Sequence, residues 1–232
     1  MAFNKELAKK IGATFIRSSD ETGLENAFAD ICEYLSPDPD LISWRGVKPS
    51  FEDENGLAIF AEKYFAGYRK SDFPAQPGTV PDEMVSIVLR FAYGYNKTET
   101  DKMKIEHQHA MCAENSVGGL LERYLDTHLR QSGWRWCCGD FVKAVDFIKF
   151  DNNIWHALQI KNRSNSENSS SSAIRSGTDI QKWFRTDSKT GNTRWDKLPS
   201  LMQGVGLTEK GFIDFAESYL KAELTIRRRG TQ

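Results

Sequence analysis

Leu24, Phe28, Ile31, Cys32 and Leu35 recur at helical spacing before Pro37 and Pro39, so the first 35 residues read as helix. Asn55–Lys70 repeats the pattern with Leu57, Phe60, Tyr64 and Phe65, and Pro74, Pro77, Gly78 and Pro81 then mark a loop. Val80–Tyr95 predicts another helix, because Met84, Ile87, Val88 and Phe91 step by three, one and three. No internal repeat and no chemical motif stands out in this first part.

The pattern changes after Glu114. Val117, Leu120, Leu121, Tyr124, Leu125 and His128 form one stripe over Asn115–Gln131, an amphipathic helix that Gly133 stops. Over Trp134–Phe150, Val142, Ala144, Asp146, Ile148 and Phe150 alternate with Lys143, Val145, Phe147 and Lys149, the two-residue period of a strand. A turn at Asp151-Asn152-Asn153 leads to a second strand, Ile154–Ile160. A polar run follows from Asn162 to Ser172, then helices are predicted over Ala173–Phe184 and Glu209–Leu224. Helix, strand, turn, strand, polar loop and helix describe an α/β (α+β) unit with a mixed sheet. Residues 1–105 read as a mainly helical region and 106–232 as the part that carries chemistry.

Composition narrows the function classes. The chain has 232 residues, 39% hydrophobic and 27% charged, too apolar and too balanced for a disordered polymer. No apolar run reaches the roughly 20 residues of a membrane helix, and no secretory signal opens the sequence, so no membrane association is expected. Four cysteines, irregularly spaced, suit a reducing cytoplasm better than a disulfide framework. The net charge of −1 hides an asymmetry. Asp20–Phe60 holds ten acidic and two basic residues, Lys143–Arg194 nine basic and five acidic, and Arg227, Arg228 and Arg229 form a basic run near the C-terminus. A face for a polyanion is therefore expected in the second half.

Gln159 and Lys161 are two apart in a strand and share a face, and pairing through the Asp151–Asn153 turn carries Asp146 to the same end of the hairpin. A carboxylate, an amide oxygen and an ammonium would then converge. Phosphodiester cleavage needs that set: Mg²⁺ takes one or two carboxylates and keeps its waters, one of which it acidifies. Lys161 can orient that water and offset charge developing on the phosphate. The bland reading makes Lys161 a snorkelling strand-end lysine and Asp146 a turn carboxylate. His107, His109 and Cys112 lack the fourth ligand of a zinc site, Cys137-Cys138 reads as apolar packing, and Trp183 and Phe184 read as core.

Asp146, a short hairpin, then Gln159-Ile160-Lys161 resembles the PD-(D/E)xK nuclease core, in its variant with Gln at the second acidic position. Gly119-Leu120-Leu121-Glu122-Arg123-Tyr124-Leu125 is similar to the helix that precedes the first strand of these nucleases. That resemblance implies a mixed central sheet flanked by helices, with Asp146, Gln159 and Glu122 as metal ligands, Lys161 completing the catalytic set, and Glu114 competing with Glu122. The run from Leu158 to Ser172, with Ala173-Ile174-Arg175 and Lys182-Trp183-Phe184-Arg185, resembles type II restriction endonucleases of the SinI and MjaII/TdeIII sort. The resemblance implies Mg²⁺-dependent double-strand cuts at a GGNCC or GGWCC site that leave a 5′-phosphate and a 3′-hydroxyl. The neutral Gln159 leaves the number of metal ions open.

Side-chain chemistry supports a DNA-reading role independently of that family. Arginine pairs bidentately with guanine and asparagine with adenine, while serine serves several bases. Asn162, Arg163, Asn165, Ser166, Asn168, Ser169 and Arg175 offer those groups, and Lys182 and Arg185 suit phosphates. A palindromic site in double-stranded DNA implies a homodimer, for which the N-terminal helices are candidates, and a restriction enzyme implies a cognate DNA methyltransferase. The alternatives are a repair or structure-specific nuclease of the same core, a non-catalytic DNA-binding module, and a helical interaction protein.

Overall fold

Asn152 and Asn153 both adopt the left-handed backbone conformation, with φ of 49° and 62°. Two such residues in succession make the tight turn whose twist matches paired strands, and asparagine is among the residues that tolerate it. The turn joins β2 (Phe147–Asp151) to β3 (Ile154–Arg163), with Asp151 opposite Ile154 and Phe147 opposite Leu158. The computed structural model describes residues 3–164 and 179–229. Among these, a four-stranded sheet runs β1 (Arg135–Trp136), β2, β3, β4 (Gln181–Thr186), antiparallel except for the parallel pair β3–β4. This is the mixed sheet with flanking helices that the hairpin pattern implies.

Three sequence expectations are corrected. The first 35 residues are not one helix: α1 (Lys5–Ala13) and α2 (Leu24–Leu35) are separated by a segment that ends at Gly23, whose φ of 90° breaks the helical path. Trp134–Phe150 is not one strand, because residues 138–145 lie outside the four strands and include Asp140 and Ala144 at φ of 60° and 54°. Ala173–Phe184 was expected as helix, but Gln181 onward is strand β4, and residues 173–178 lie outside the described residues. The short Gln181–Thr186 run carries Trp183 and Phe184, and its pairing with β3 outweighs local helical spacing.

The other helices follow the periodicity closely. They are α3 (Glu54–Arg69), α4 (Glu83–Tyr93), α5 (Lys97–Leu129) and α6 (Glu209–Arg229). Asp53 and Asp82 cap α3 and α4, accepting the N–H groups of Gly56 at 2.8 Å and Met84 at 2.9 Å. The amphipathic stripe of Asn115–Gln131 is the C-terminal half of the longer α5, which Gly133 ends at φ 86°.

The chain divides into two compact units that interleave along the sequence. Residues 1–70 and 122–215 form the first, and 71–121 and 216–232 the second. In the first unit, Phe28, Phe60, Tyr64, Phe65 and Phe141 are fully buried, and Phe60 stacks on Phe51 with centroids 4.4 Å apart. Helix α3 and the loop before Asp146 approach closely: a Cβ on Gly67 would lie 2.3 Å from the Gly139 nitrogen, so neither backbone tolerates a side chain there. The Cys138 thiol donates to the Tyr64 carbonyl at 3.4 Å. An ion pair pins the C-terminal end of α3: Arg69 Nε donates to Glu21 at 2.6 Å, and the same side chain reaches the Phe15 carbonyl. In the second unit, Ser71 donates to Glu223 at 2.6 Å, and the Asp72 N–H donates to the Tyr219 hydroxyl at 3.1 Å.

Candidate active site

Asp146 is placed by an irregularity in the sheet. Leu158 is the register partner of Phe147, yet its carbonyl also accepts the Asp146 N–H at 2.9 Å. Two successive residues thus face a single residue of β3, which is a β-bulge, and a bulge re-aims the side chain that it carries. The re-aimed carboxylate accepts the Ile160 N–H through Oδ2 at 2.6 Å. On its other side the Asp146 carbonyl accepts the Cys137 N–H at 2.8 Å. Asp146 is therefore held between β1 and β3 at the end of the hairpin away from the Asn152-Asn153 turn.

Gln159 and Lys161 flank Ile160 on β3. Gln159 is buried and lies beside Lys182 of β4 in the parallel register, whereas Lys161, beside Phe184, is exposed. Burial pushes the Asp146 carboxyl up from 3.8 to about 6, against the opposing pull of the Ile160 N–H and the Lys161 charge. Lys161 is thus close enough for its ammonium to favour the ionised carboxylate. The three residues the sequence singles out arrive at one end of one hairpin.

Glu122 comes from α5 and is tied to the sheet through a residue that sequence reasoning missed. Its Oε2 accepts the Trp136 indole N–H at 2.8 Å, and Trp136 pairs with Phe147. The buried Cys137 thiol is pushed well up, first by desolvation and then by the charges of Asp146, Cys138 and Glu122. Both carboxylates therefore act on the same thiol. No spacing in the sequence signals Trp136 as the partner of Glu122, because the contact joins a helix to a two-residue strand. Glu114 belongs to the other unit.

The expected DNA-contacting residues divide into three groups. Asn165, Ser166, Asn168, Ser169 and Arg175 lie outside the described residues. Asn162 and Arg163 end β3, and Lys182 lies on β4. Arg185 is engaged internally: Nε donates to Asn162 Oδ1 at 3.0 Å, Nη1 pairs with Glu209, and the guanidinium lies 5.1 Å from the Phe212 ring centre. Trp195 donates to the same Glu209 at 2.8 Å. Trp183 is buried as expected of a core residue, while Phe184 is partly open under the Arg194 guanidinium at 4.3 Å.

A divalent cation fits the donors present. Asp146 and Gln159 supply hard oxygens, and Mg²⁺ needs few protein ligands because it keeps its waters. Among the described residues no group of three or more His, Cys, Asp or Glu is placed to hold a metal ion, so a cation at Asp146 would rely on the Gln159 amide oxygen and on water. The half-buried Asp146 carboxylate, whose ionised form is penalised, gains most from a cation beside it.

A mixed sheet between helices, with a carboxylate, an amide and a lysine at the open end of its central hairpin, defines an α/β protein of the restriction-endonuclease-like class. Comparison with known proteins refines this. The profile of the SinI restriction endonuclease family matches residues 7–222, and the chain belongs to that family. It is 43% identical over 202 residues to the type II restriction enzyme Eco47I of Escherichia coli, covering 85% of this chain and 87% of that one. It is 41% identical over 203 residues to the type II restriction enzyme SinI of Salmonella infantis, covering 85% and 88%.

Proposed function

We infer that this protein is a type II restriction endonuclease, a site-specific deoxyribonuclease that hydrolyses both strands of DNA at a short palindrome. The family membership supports the class, and the convergence of Asp146, Gln159 and Lys161 at one end of the β2–β3 hairpin carries the assignment of the site. Restriction enzymes of this type use a divalent cation, and Mg²⁺ is the one proposed here. Asp146 and Gln159 would hold it, with Glu122 adding negative charge from α5. A cation held there would acidify a bound water and offset charge on the scissile phosphate.

The chain's own groups then have distinct tasks. Asp146 is kept in place by the Ile160 N–H and must be ionised to act as a ligand. Lys161, exposed at the end of β3, presents its ammonium to the attacking water and to the developing phosphate charge. Asn162, Arg163 and the residues that follow would read base edges, with Lys182 on the phosphates. A GGNCC or GGWCC sequence is the proposed site, and its guanines suit arginine. Two copies would act on the two strands in a prokaryotic cytoplasm, beside a methyltransferase that protects the same sequence.

The test is incubation of the purified protein with a plasmid of known sequence, with Mg²⁺ or with EDTA, beside Lys161→Ala. Discrete fragments that require the metal and vanish in the variant are expected, and mapping their ends identifies the site. Diffuse degradation retained by the variant would overturn the reading.

A further inference from the structure

Phe184 is the register partner of Lys161 in the parallel pair β3–β4, as Lys182 is of Gln159. Register partners on adjacent strands point the same way, and successive residues alternate. Gln159, Lys161, Lys182 and Phe184 therefore share one face of the sheet, and the buried Ile160 and Trp183 share the other. The backbones of Lys161 and Phe184 are one strand spacing apart, about 4.8 Å. On the Phe184 ring lies a further cation: the Arg194 guanidinium sits 4.3 Å from the ring centre.

Arg194 is carried there by its backbone. After β4 the chain reverses over residues 187–192, where the Asp187 N–H donates to the Asn192 carbonyl at 2.9 Å and Thr186 bridges Thr193. The Arg194 N–H then donates to the Arg185 carbonyl at 2.7 Å, and the Arg194 carbonyl accepts the Trp183 indole N–H at 3.0 Å. None of these bonds uses the side chain. The guanidinium makes no ion pair among the described residues. Asp187 is the acid that senses its charge, and that carboxylate is occupied by the N–H groups of Thr190 at 2.9 Å and Lys189 at 3.0 Å. Stacking on a ring fixes the guanidinium plane but leaves the N–H groups, which lie in that plane, available to an acceptor.

We propose that Arg194 is a second cation of the active site, which donates to the non-bridging oxygens of the scissile phosphodiester beside Lys161. The proposal rests on the nuclease reading above and adds to it a residue with no part in metal binding. Hydrolysis bonds the oxygen of water to phosphorus and breaks the P–O3′ bond. The water gives up a proton to solvent and the departing 3′ oxygen takes one from solvent. Negative charge grows on the non-bridging oxygens in between, and a planar guanidinium can meet two of them with parallel donors while keeping its own protons. An ammonium is a point charge, so Lys161 can serve the attacking water while Arg194 holds the phosphate. The two cations divide the work because the β3–β4 register sets them side by side.

The test uses the full chain and a duplex with one mapped cleavage site, with Arg194→Ala, Arg194→Lys and Lys161→Ala side by side. In single-turnover reactions with Mg²⁺, Arg194→Ala should cut at the same site roughly 30- to 300-fold more slowly, and Arg194→Lys should recover part of the rate. The melting temperature of Arg194→Ala should stay close to that of the wild type, since the backbone bonds of Arg194 remain. Binding in Ca²⁺ to duplexes with and without a neutral methylphosphonate at the scissile position separates contact from structure. That substitution should weaken wild-type binding about tenfold, and the penalty should shrink at least threefold in Arg194→Ala, whereas a structural role would leave it unchanged. An Arg194→Ala variant that cuts at the wild-type rate while Lys161→Ala does not cut, or that keeps the full methylphosphonate penalty, would overturn the proposal and leave the nuclease reading standing. A wild-type chain that cuts no DNA in Mg²⁺ would overturn both.

Discussion

The Asp146 carboxylate accepts the N–H of Ile160, the residue that separates Gln159 from Lys161, at 2.6 Å. One hydrogen bond thereby fixes the acid to the backbone between the two other members of the site. It is possible because the bulge opposite Leu158 turns Asp146 towards β3, which a regular ladder would not do. Several expectations rest on this geometry.

Asp146→Asn should abolish cleavage, lowering the rate at least 1000-fold, while making the protein more stable at pH 8 in the absence of divalent metal. The folded Asp146 carboxyl titrates near 6 rather than 3.8, so the folded state holds a proton that the unfolded state has released. Stability therefore falls as pH rises between those values and stays lowered above them. Asparagine keeps an acceptor for Ile160 without the buried charge. Thermal unfolding should show the variant ahead at pH 8 and the difference closing towards pH 4.

In the metal-ligand role proposed for Asp146, the same titration governs metal binding. Below pH 6 a cation must displace the Asp146 proton, so apparent affinity should fall up to about tenfold per pH unit, and above pH 7 it should level off. Calorimetric titration with Mg²⁺ or Mn²⁺ from pH 5 to 8 measures this. A flat profile would show that Asp146 is not a ligand.

Lys161→Ala should lower the cleavage rate by about 100- to 1000-fold, the usual cost of removing one electrostatic stabiliser of the transition state. DNA affinity in the absence of cleavage should change little, because a single exposed lysine contributes a small share of phosphate attraction. Single-turnover kinetics beside a binding assay in Ca²⁺ separates the two effects.

Lys182 and Arg185 should behave differently although both suit phosphate by type. Lys182→Ala should reduce the salt dependence of DNA binding by about one counterion. Arg185→Ala should instead leave the salt slope unchanged and lower the melting temperature, because the Arg185 side chain is occupied by Asn162, Glu209 and Phe212. Binding isotherms at several salt concentrations and thermal scans decide between these roles.

Glu21→Gln should cost roughly 1–3 kcal/mol of stability at pH 7, since it removes the charged partner of Arg69 and leaves its guanidinium the Phe15 carbonyl. The hydrogen bond from Arg69 holds the Glu21 carboxyl below its ordinary range. Its stabilisation is therefore complete above that ordinary range and disappears as pH falls through the depressed folded value. Urea unfolding over a series of acidic pH values should show the wild-type advantage, full at pH 7, shrinking as pH falls below the ordinary carboxyl range.

Sequence pattern alone determines the elements whose cause is local. Apolar residues at helical spacing account for α2, α3, α4 and α6, and Asn152-Asn153 marks the turn of the hairpin. Once that turn is placed, period-two geometry puts Gln159 and Lys161 on one face of β3 and carries Asp146 to the same end of the hairpin, so the proposed site could be located from the sequence, whereas the bulge that turns Asp146 towards β3 could not. Tertiary structure decided the rest. β4 is a strand because β3 offers it a parallel edge, and Glu122 meets Trp136 because α5 packs against a strand that starts six residues beyond its end. Arg185 was claimed by Glu209, a partner 24 residues away. Local spacing encodes which face a residue shares within its own element. Which partner waits on that face is set by packing between elements distant in the chain, and no periodicity carries that information.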